Sequence, residues 1–129
     1  MKNKKLVLVV DDEPAVASLL KSILTALGYD TLTTDNGPRG IELAMTRDVD
    51  LILMDVNLAG QDGLMSAFHL RSNPETRDVP LIIMSGALDD SMKAEAEGLG
   101  CVSHLDKPFQ LATLKACVES ALLVPNNRD

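Results

Sequence analysis

Five short strand candidates, three of them continuous apolar runs, are separated by helix-like stretches and end at polar residues; they constrain this 129-residue chain more than any other feature. The first, Leu6-Val7-Leu8-Val9-Val10, is continuous rather than alternating and stops at Asp11-Asp12-Glu13. A Val- and Leu-rich run of that length fits a strand buried on both faces, as in parallel sheets. Residues 50–54 repeat the pattern, with Leu51-Ile52-Leu53-Met54 before Asp55. Leu81-Ile82-Ile83-Met84 follows Pro80 and stops at Ser85-Gly86. Two further candidates, 31–34 and 101–105, complete the set, and the second leads into Asp106-Lys107-Pro108.

The intervening segments carry helix signals. Pro14 suits a first helical turn, and Val16, Leu19, Leu20, Ile23 and Leu27 form one apolar face before Gly28. Asn36-Gly37-Pro38 opens a second helix and residues 64–70 read as a third. Asp89 caps a fourth that reaches Glu97, while Leu111, Leu114, Val118 and Leu122 mark a fifth. Regular alternation with right-handed crossovers predicts an α/β fold, a doubly wound parallel sheet with helices on both faces. The length fits one domain, taken as residues 1–124, with 125–129 as a polar tail or the start of a linker.

Composition narrows the function. Nineteen acidic residues against twelve basic ones, a formal charge of -7, disfavour direct nucleic-acid binding and anionic membrane surfaces. Three aromatic residues (Tyr29, Phe68, Phe109) offer little for base stacking. No apolar run approaches the roughly 20 residues of a membrane span. The five-residue apolar start at Leu6 falls short of a signal peptide, so a cytoplasmic location is expected. Cys101 and Cys117 form no CxxC pair and no metal cluster with His69 and His104, which predicts reduced, largely buried thiols. His69 reads as a surface histidine, and the methionines as fillers of core and surface gaps.

In a parallel sheet the carboxyl ends of the strands share one edge, where ligands bind. That edge would gather Asp11 and Asp12, Asp55, Ser85 and Lys107. Singly, each has an ordinary reading: helix-capping acids, a turn serine, a surface lysine in a salt bridge. Together they define a chemistry. Carboxylates brought close raise one another's pKa, a conflict that a hard divalent cation removes. Magnesium usually takes one or two carboxylates and leaves room for phosphate oxygens. A lysine offers a point charge to a phosphoryl group, a serine one hydrogen bond, and a held carboxylate can act as nucleophile. The set suits phosphoryl transfer, which needs positioning and charge neutralisation.

Five stretches make the pattern specific: Val9-Val10-Asp11-Asp12-Glu13-Pro14, Leu53-Met54-Asp55-Val56-Asn57-Leu58, Gly60-Gln61-Asp62-Gly63, Ile83-Met84-Ser85-Gly86-Ala87 and Leu105-Asp106-Lys107-Pro108-Phe109. In this order and spacing the chain resembles a response-regulator receiver domain of two-component signalling, over about residues 5–123. The resemblance implies a flavodoxin-like (βα)5 fold with strand order 2-1-3-4-5. It implies that Asp55 is the phosphoacceptor. Asp11 and Asp12, with Asp55 and the backbone carbonyl of Asn57, would hold Mg2+, or alternatively Mn2+. Ser85 and Lys107 would bind the phosphoryl oxygens, and Lys107-Pro108 would be a cis peptide. Ser85 and His104 would be the switch residues, His104 standing where the family usually has Tyr or Phe. Ala59 stands where Pro is frequent, and Ala87, with Asn57, occupies a position that tunes phosphoryl lifetime. No organic cofactor is implied.

The function so implied is a phosphorylation-operated switch rather than an enzyme acting on other substrates, catalysing only its own phosphorylation and dephosphorylation. A histidine kinase or histidine phosphotransfer protein would donate the phosphoryl group. The surface of the fourth helix, fifth strand and fifth helix would then change for an output protein or domain, or for a phosphorylation-dependent dimer. Three alternatives are weaker. A phosphatase or mutase would want a second acid where Asn57 stands. A flavin module would want a phosphate loop where Asp11-Asp12-Glu13 stands. An unphosphorylated scaffold would not need the complete residue set.

Overall fold

The computed structural model describes residues 4–58, 63–86 and 89–123. Strands β1 (Leu6–Val10), β2 (Asp30–Thr34), β3 (Leu51–Asp55), β4 (Leu81–Ser85) and β5 (Ser103–Asp106) alternate with helices α1 (Pro14–Ala26), α2 (Gly37–Thr46), α3 (Gly63–Ser72), α4 (Asp90–Gly98) and α5 (Leu111–Leu123). All four strand pairings are parallel, and the order is β2-β1-β3-β4-β5. This is the expected flavodoxin-like arrangement. The order reverses after β1, so the edge beyond β1 and β3 is the switch point where such sheets hold ligands.

The continuous apolar runs are explained by two cores, one on each face of the sheet. Successive residues of a strand point to opposite faces. Val7, Val9, Leu51, Leu53, Ile82 and Met84 therefore pack under α1 and α5, with Leu20, Leu24, Leu114 and Val118. Leu8, Val10, Ile52, Met54 and Leu81 pack under α2 and α3, with Leu43, Ala44, Ala67 and Leu70. With both faces covered, a central strand has no place for a polar residue until it emerges at its carboxyl end.

Helix boundaries follow local chemistry. Pro14 starts α1, and Gly28 just beyond it takes a left-handed φ of 97°. Asn36 and Asp89 cap α2 and α4 by accepting from the N–H groups of Arg39 and Met92 at 2.8 Å each. The expected fifth strand at 101–105 starts later, at Ser103. The reason is that the Cys101 N–H closes the end of α4 on the Ala96 carbonyl at 3.1 Å, after Gly100 turns the chain at a φ of 76°. Cys101 and Cys117 are free thiols, as expected, but half-buried rather than largely buried. His69 is exposed on α3. Met54 and Met84 are buried in the core, whereas Met45 and Met65 are exposed.

Arg71, at the end of α3, ties loops together at the opposite end of the sheet from the acidic strand ends. Its guanidinium donates to the carbonyls of Leu99 (2.7 Å), Val79 (2.8 Å) and Arg77 (3.0 Å). Among the described residues no helix is long and apolar enough to cross a membrane. Ala59, Ala87, the Gly60-Gln61-Asp62 stretch and residues 124–129 lie outside the described residues, so the expectations placed on them stop at the sequence.

Candidate functional site

The parallel register brings the polar strand ends together. Asp11 follows β1, Asp55 ends β3, Ser85 ends β4 and Lys107 follows β5. The carboxylates of Asp11, Asp12 and Asp55 each offer an oxygen within 4.8 Å of the others. Asp11 and Asp55 are buried, because β1 and β3 are the central strands under both helical layers. Hard oxygen donors at this spacing fit a magnesium-type ion.

Lys107 reaches into the same group. Its ammonium donates to Asp11 Oδ2 at 2.8 Å, Asp55 Oδ2 at 2.9 Å and Glu13 Oε1 at 3.0 Å. The Lys107–Pro108 peptide is cis, as expected. The remaining carboxylate oxygens are also held: Glu13 N–H donates to Asp11 Oδ1, and Asn57 N–H to Asp55 Oδ1, each at 2.9 Å. Burial raises the Asp11 carboxyl above its ordinary range, with the hydrogen bonds from Lys107 and the Glu13 N–H acting against it. Burial pulls the Lys107 ammonium down, but its hydrogen bonds to Asp11, Asp55 and Glu13 outweigh this and hold it above the usual lysine range.

Ser85 is buried, and its hydroxyl accepts from Asn57 Nδ2 at 3.0 Å. Gly63 shapes the wall behind Asp55. Its N–H donates to the Val56 carbonyl at 3.1 Å. A Cβ there would stand 2.5 Å from Val56 Cα and closer still to the Asp55 carbonyl oxygen, so only glycine lets α3 start against the end of β3. A cleft of about 480 Å³ opens over the group, bordered by Glu13, Val16, Leu19, Asp55, Asn57, Gly86 and Lys107 with Pro108 and Phe109. It has room for a phosphoryl group beside Asp55 and an apolar rim on α1 and the loop after β5.

The site thus brings together Asp11, Asp12, Asp55, Asn57, Ser85 and Lys107. His104 stands apart. It pairs with Ile83 on edge strand β5, and its side chain is exposed away from the cleft. Two contacts escaped the sequence reading. One is the bond from the Asn57 side-chain amide to Ser85. The other is Glu13, which stands at the N-cap position of α1 but makes no side-chain cap bond there and turns to Lys107 instead.

A doubly wound 2-1-3-4-5 sheet with three carboxylates and a lysine at its switch point defines a class of phosphoryl-accepting signalling module. Residues 7–119 match the response regulator receiver domain family, and the chain belongs to it. Receiver domains are the phosphorelay modules of two-component signalling, in which an aspartate carries the phosphoryl group beside magnesium. The chain is 31% identical over 121 residues to the polar-differentiation response regulator DivK of Brucella anthropi, covering 92% of this chain and 96% of that one. It is 30% identical over 116 residues to the DNA-binding transcriptional regulator RpaA of Synechocystis, covering 90% of this chain but only 48% of that protein. Its fold matches the receiver domain of a sensor histidine kinase from Pseudomonas aeruginosa, with a TM-score of 0.85 and 25% identity over 94% of this chain and 99% of that one. That receiver holds a magnesium ion in its active-site cleft.

Proposed function

We infer that Asp55 is the phosphoacceptor of a signalling switch and takes its phosphoryl group from the phosphohistidine of a kinase or phosphotransfer protein. The observation that carries this reading is the Asp55 carboxylate at the floor of the cleft, within reach of Asp11, Asp12 and the Lys107 ammonium. In the transfer, an Asp55 oxygen forms a bond to phosphorus as the nitrogen–phosphorus bond of the donor breaks, and the imidazole leaves with the electron pair. Asp11, Asp12, Asp55 and the Asn57 carbonyl would hold Mg2+, or Mn2+ in its place. When bound, such an ion supplies positive charge and oxygen coordination to the phosphoryl group. Lys107 neutralises a further oxygen, and Ser85 moves from Asn57 to donate its hydroxyl.

The chain's own groups then also catalyse hydrolysis of the acyl phosphate, and no other substrate is turned over. The β4 and β5 ends carry Ser85 and Lys107, so their rearrangement alters the α4-β5-α5 face, where His104 is exposed, for an output partner or a second copy. This biases an equilibrium between two arrangements of that face. Residues 1–124 form this switch in the cytoplasm, without direct contact to nucleic acid or membrane. A phosphatase reading is less well supported: Asn57 stands where a leaving-group acid is wanted, and its amide is engaged with Ser85. Treatment with acetyl phosphate and magnesium, followed by intact mass, tests the central point. Wild type is expected to gain one phosphoryl group and Asp55→Asn none; equal labelling of both would sink the assignment.

A further inference from the structure

We propose that Glu13 is an exchangeable partner of Lys107, holding the ammonium in the unphosphorylated protein and yielding its place to a phosphoryl oxygen. This rests on the reading of Asp55 as phosphoacceptor. An ammonium has three N–H donors, and Lys107 has given all of them to carboxylates: Asp11, Asp55 and Glu13. It cannot bind a phosphoryl oxygen without releasing one. The three carboxylates are not equivalent. The side chains of Asp11 and Asp55 are 0% and 3% exposed, whereas that of Glu13 is 60% exposed. An exposed carboxylate gives up a cation at little cost because water solvates it at once, whereas buried Asp11 would be left uncompensated. Asp55 becomes the ester that carries the phosphoryl group, so its own contact passes to a phosphoryl oxygen, and Glu13 is the carboxylate that can yield a further N–H.

The backbone shows that Glu13 is available for this role. It occupies the N-cap position of α1, where a side chain ordinarily accepts from the first helical N–H groups, yet it makes no such bond. Glu13 lines the same cleft as Asp55, Asn57, Gly86 and Lys107, so a phosphoryl group on Asp55 enters the space that Glu13 borders. Both are anionic, and they compete. Glu13 is a positioning residue acting through Lys107, and it sets how strongly the phosphorylated arrangement is favoured.

The test is a titration of beryllofluoride, a non-covalent phosphoryl analogue, into the magnesium-saturated protein, followed by fluorine NMR. Glu13→Gln keeps the shape and loses the charge, and is expected to bind two- to fivefold more tightly than wild type, the range an exposed ion pair supplies. Glu13→Asp, which retains the charge on a shorter side chain, is expected to fall between the two. Magnesium affinity without beryllofluoride is measured in parallel and is expected not to rise. Unchanged or weakened beryllofluoride binding by Glu13→Gln would overturn the proposal. An equal rise in magnesium affinity would overturn it as well, by placing the effect on the metal. Asp55→Asn separates the two layers. If it binds beryllofluoride as wild type does, the Asp55 reading fails and takes the proposal with it. If it does not bind while Glu13→Gln matches wild type, the proposal alone fails.

Discussion

Among the described residues, Lys107 is the cation that bonds the buried carboxylates of Asp11 and Asp55, at 2.8 and 2.9 Å. Removing it leaves those carboxylates uncompensated in a poorly solvated place. Breaking a closed buried pair costs about 3–5 kcal/mol. Here the cleft admits water, so Lys107→Met is expected to lower unfolding free energy by about 1–3 kcal/mol at neutral pH. Millimolar magnesium should recover part of that loss, since the ion takes over the neutralisation. Urea denaturation with and without magnesium checks both statements, and a variant as stable as wild type in chelator would contradict them. The positions of Asp11, Asp12, Asp55, Ser85 and Lys107 were all legible as residue types at strand ends. The partner of each was not. Nothing in Asp-Asp-Glu says which acid turns to a lysine 94 positions away.

At the scale of elements, the strands and most helices were legible because their determinants are local. Both-face burial demands continuous apolar runs, and Asn36 and Asp89 cap the helices that follow them. The start of β5 was misjudged because Cys101 is apolar enough for a strand, yet its N–H is committed to the end of α4. Arg71 illustrates what local reading misses. On a helix it looks like a surface residue, but it satisfies carbonyls from the α3–β4 and α4–β5 connections at once. Truncation to Ala would leave those acceptors short of a donor, and a loss of about 2–3 kcal/mol is expected. Arg71→Lys should recover little of it, because a single ammonium cannot reproduce the planar fork. Chemical denaturation, with amide exchange in residues 98–102 as the local probe, distinguishes this from a solvent-exposed arginine, whose replacement would change neither.

At the scale of the whole molecule, alkaline stability integrates several groups. Burial pushes the Cys101 thiol up to about 11, with nearby Arg71 acting against it. Burial, followed by the charge of Glu119, also raises Tyr29, and Lys107 is held above its usual range by its carboxylates despite its burial. In each case the folded protein keeps a proton that the unfolded chain has released. The unfolded state therefore binds fewer protons over that window, and stability falls as pH rises. Cys101 titrates first in the unfolded chain, so the decline is expected to begin near pH 9 and to amount to no more than about 2.7 kcal/mol from this thiol by pH 11. Cys101→Ala should flatten the part between pH 9 and 10 in a series of urea melts. An identical slope in the variant would show that the thiol does not contribute.

What the sequence by itself determined was the architecture and the list of chemical groups. Strand and helix periodicity is written in near neighbours, and a parallel sheet must bring its carboxyl ends to one edge, so Asp11, Asp12, Asp55, Ser85 and Lys107 had to meet. Only the tertiary structure decided how they meet: that Lys107 is fully engaged by three acids, that Glu13 is the exposed one among them, that the Asn57 amide holds Ser85, and that His104 stays on an outer strand away from the cleft. Such contacts join side chains far apart in the chain. They depend on rotamers and on small offsets between packed helices and strands, for which a linear pattern carries no signal.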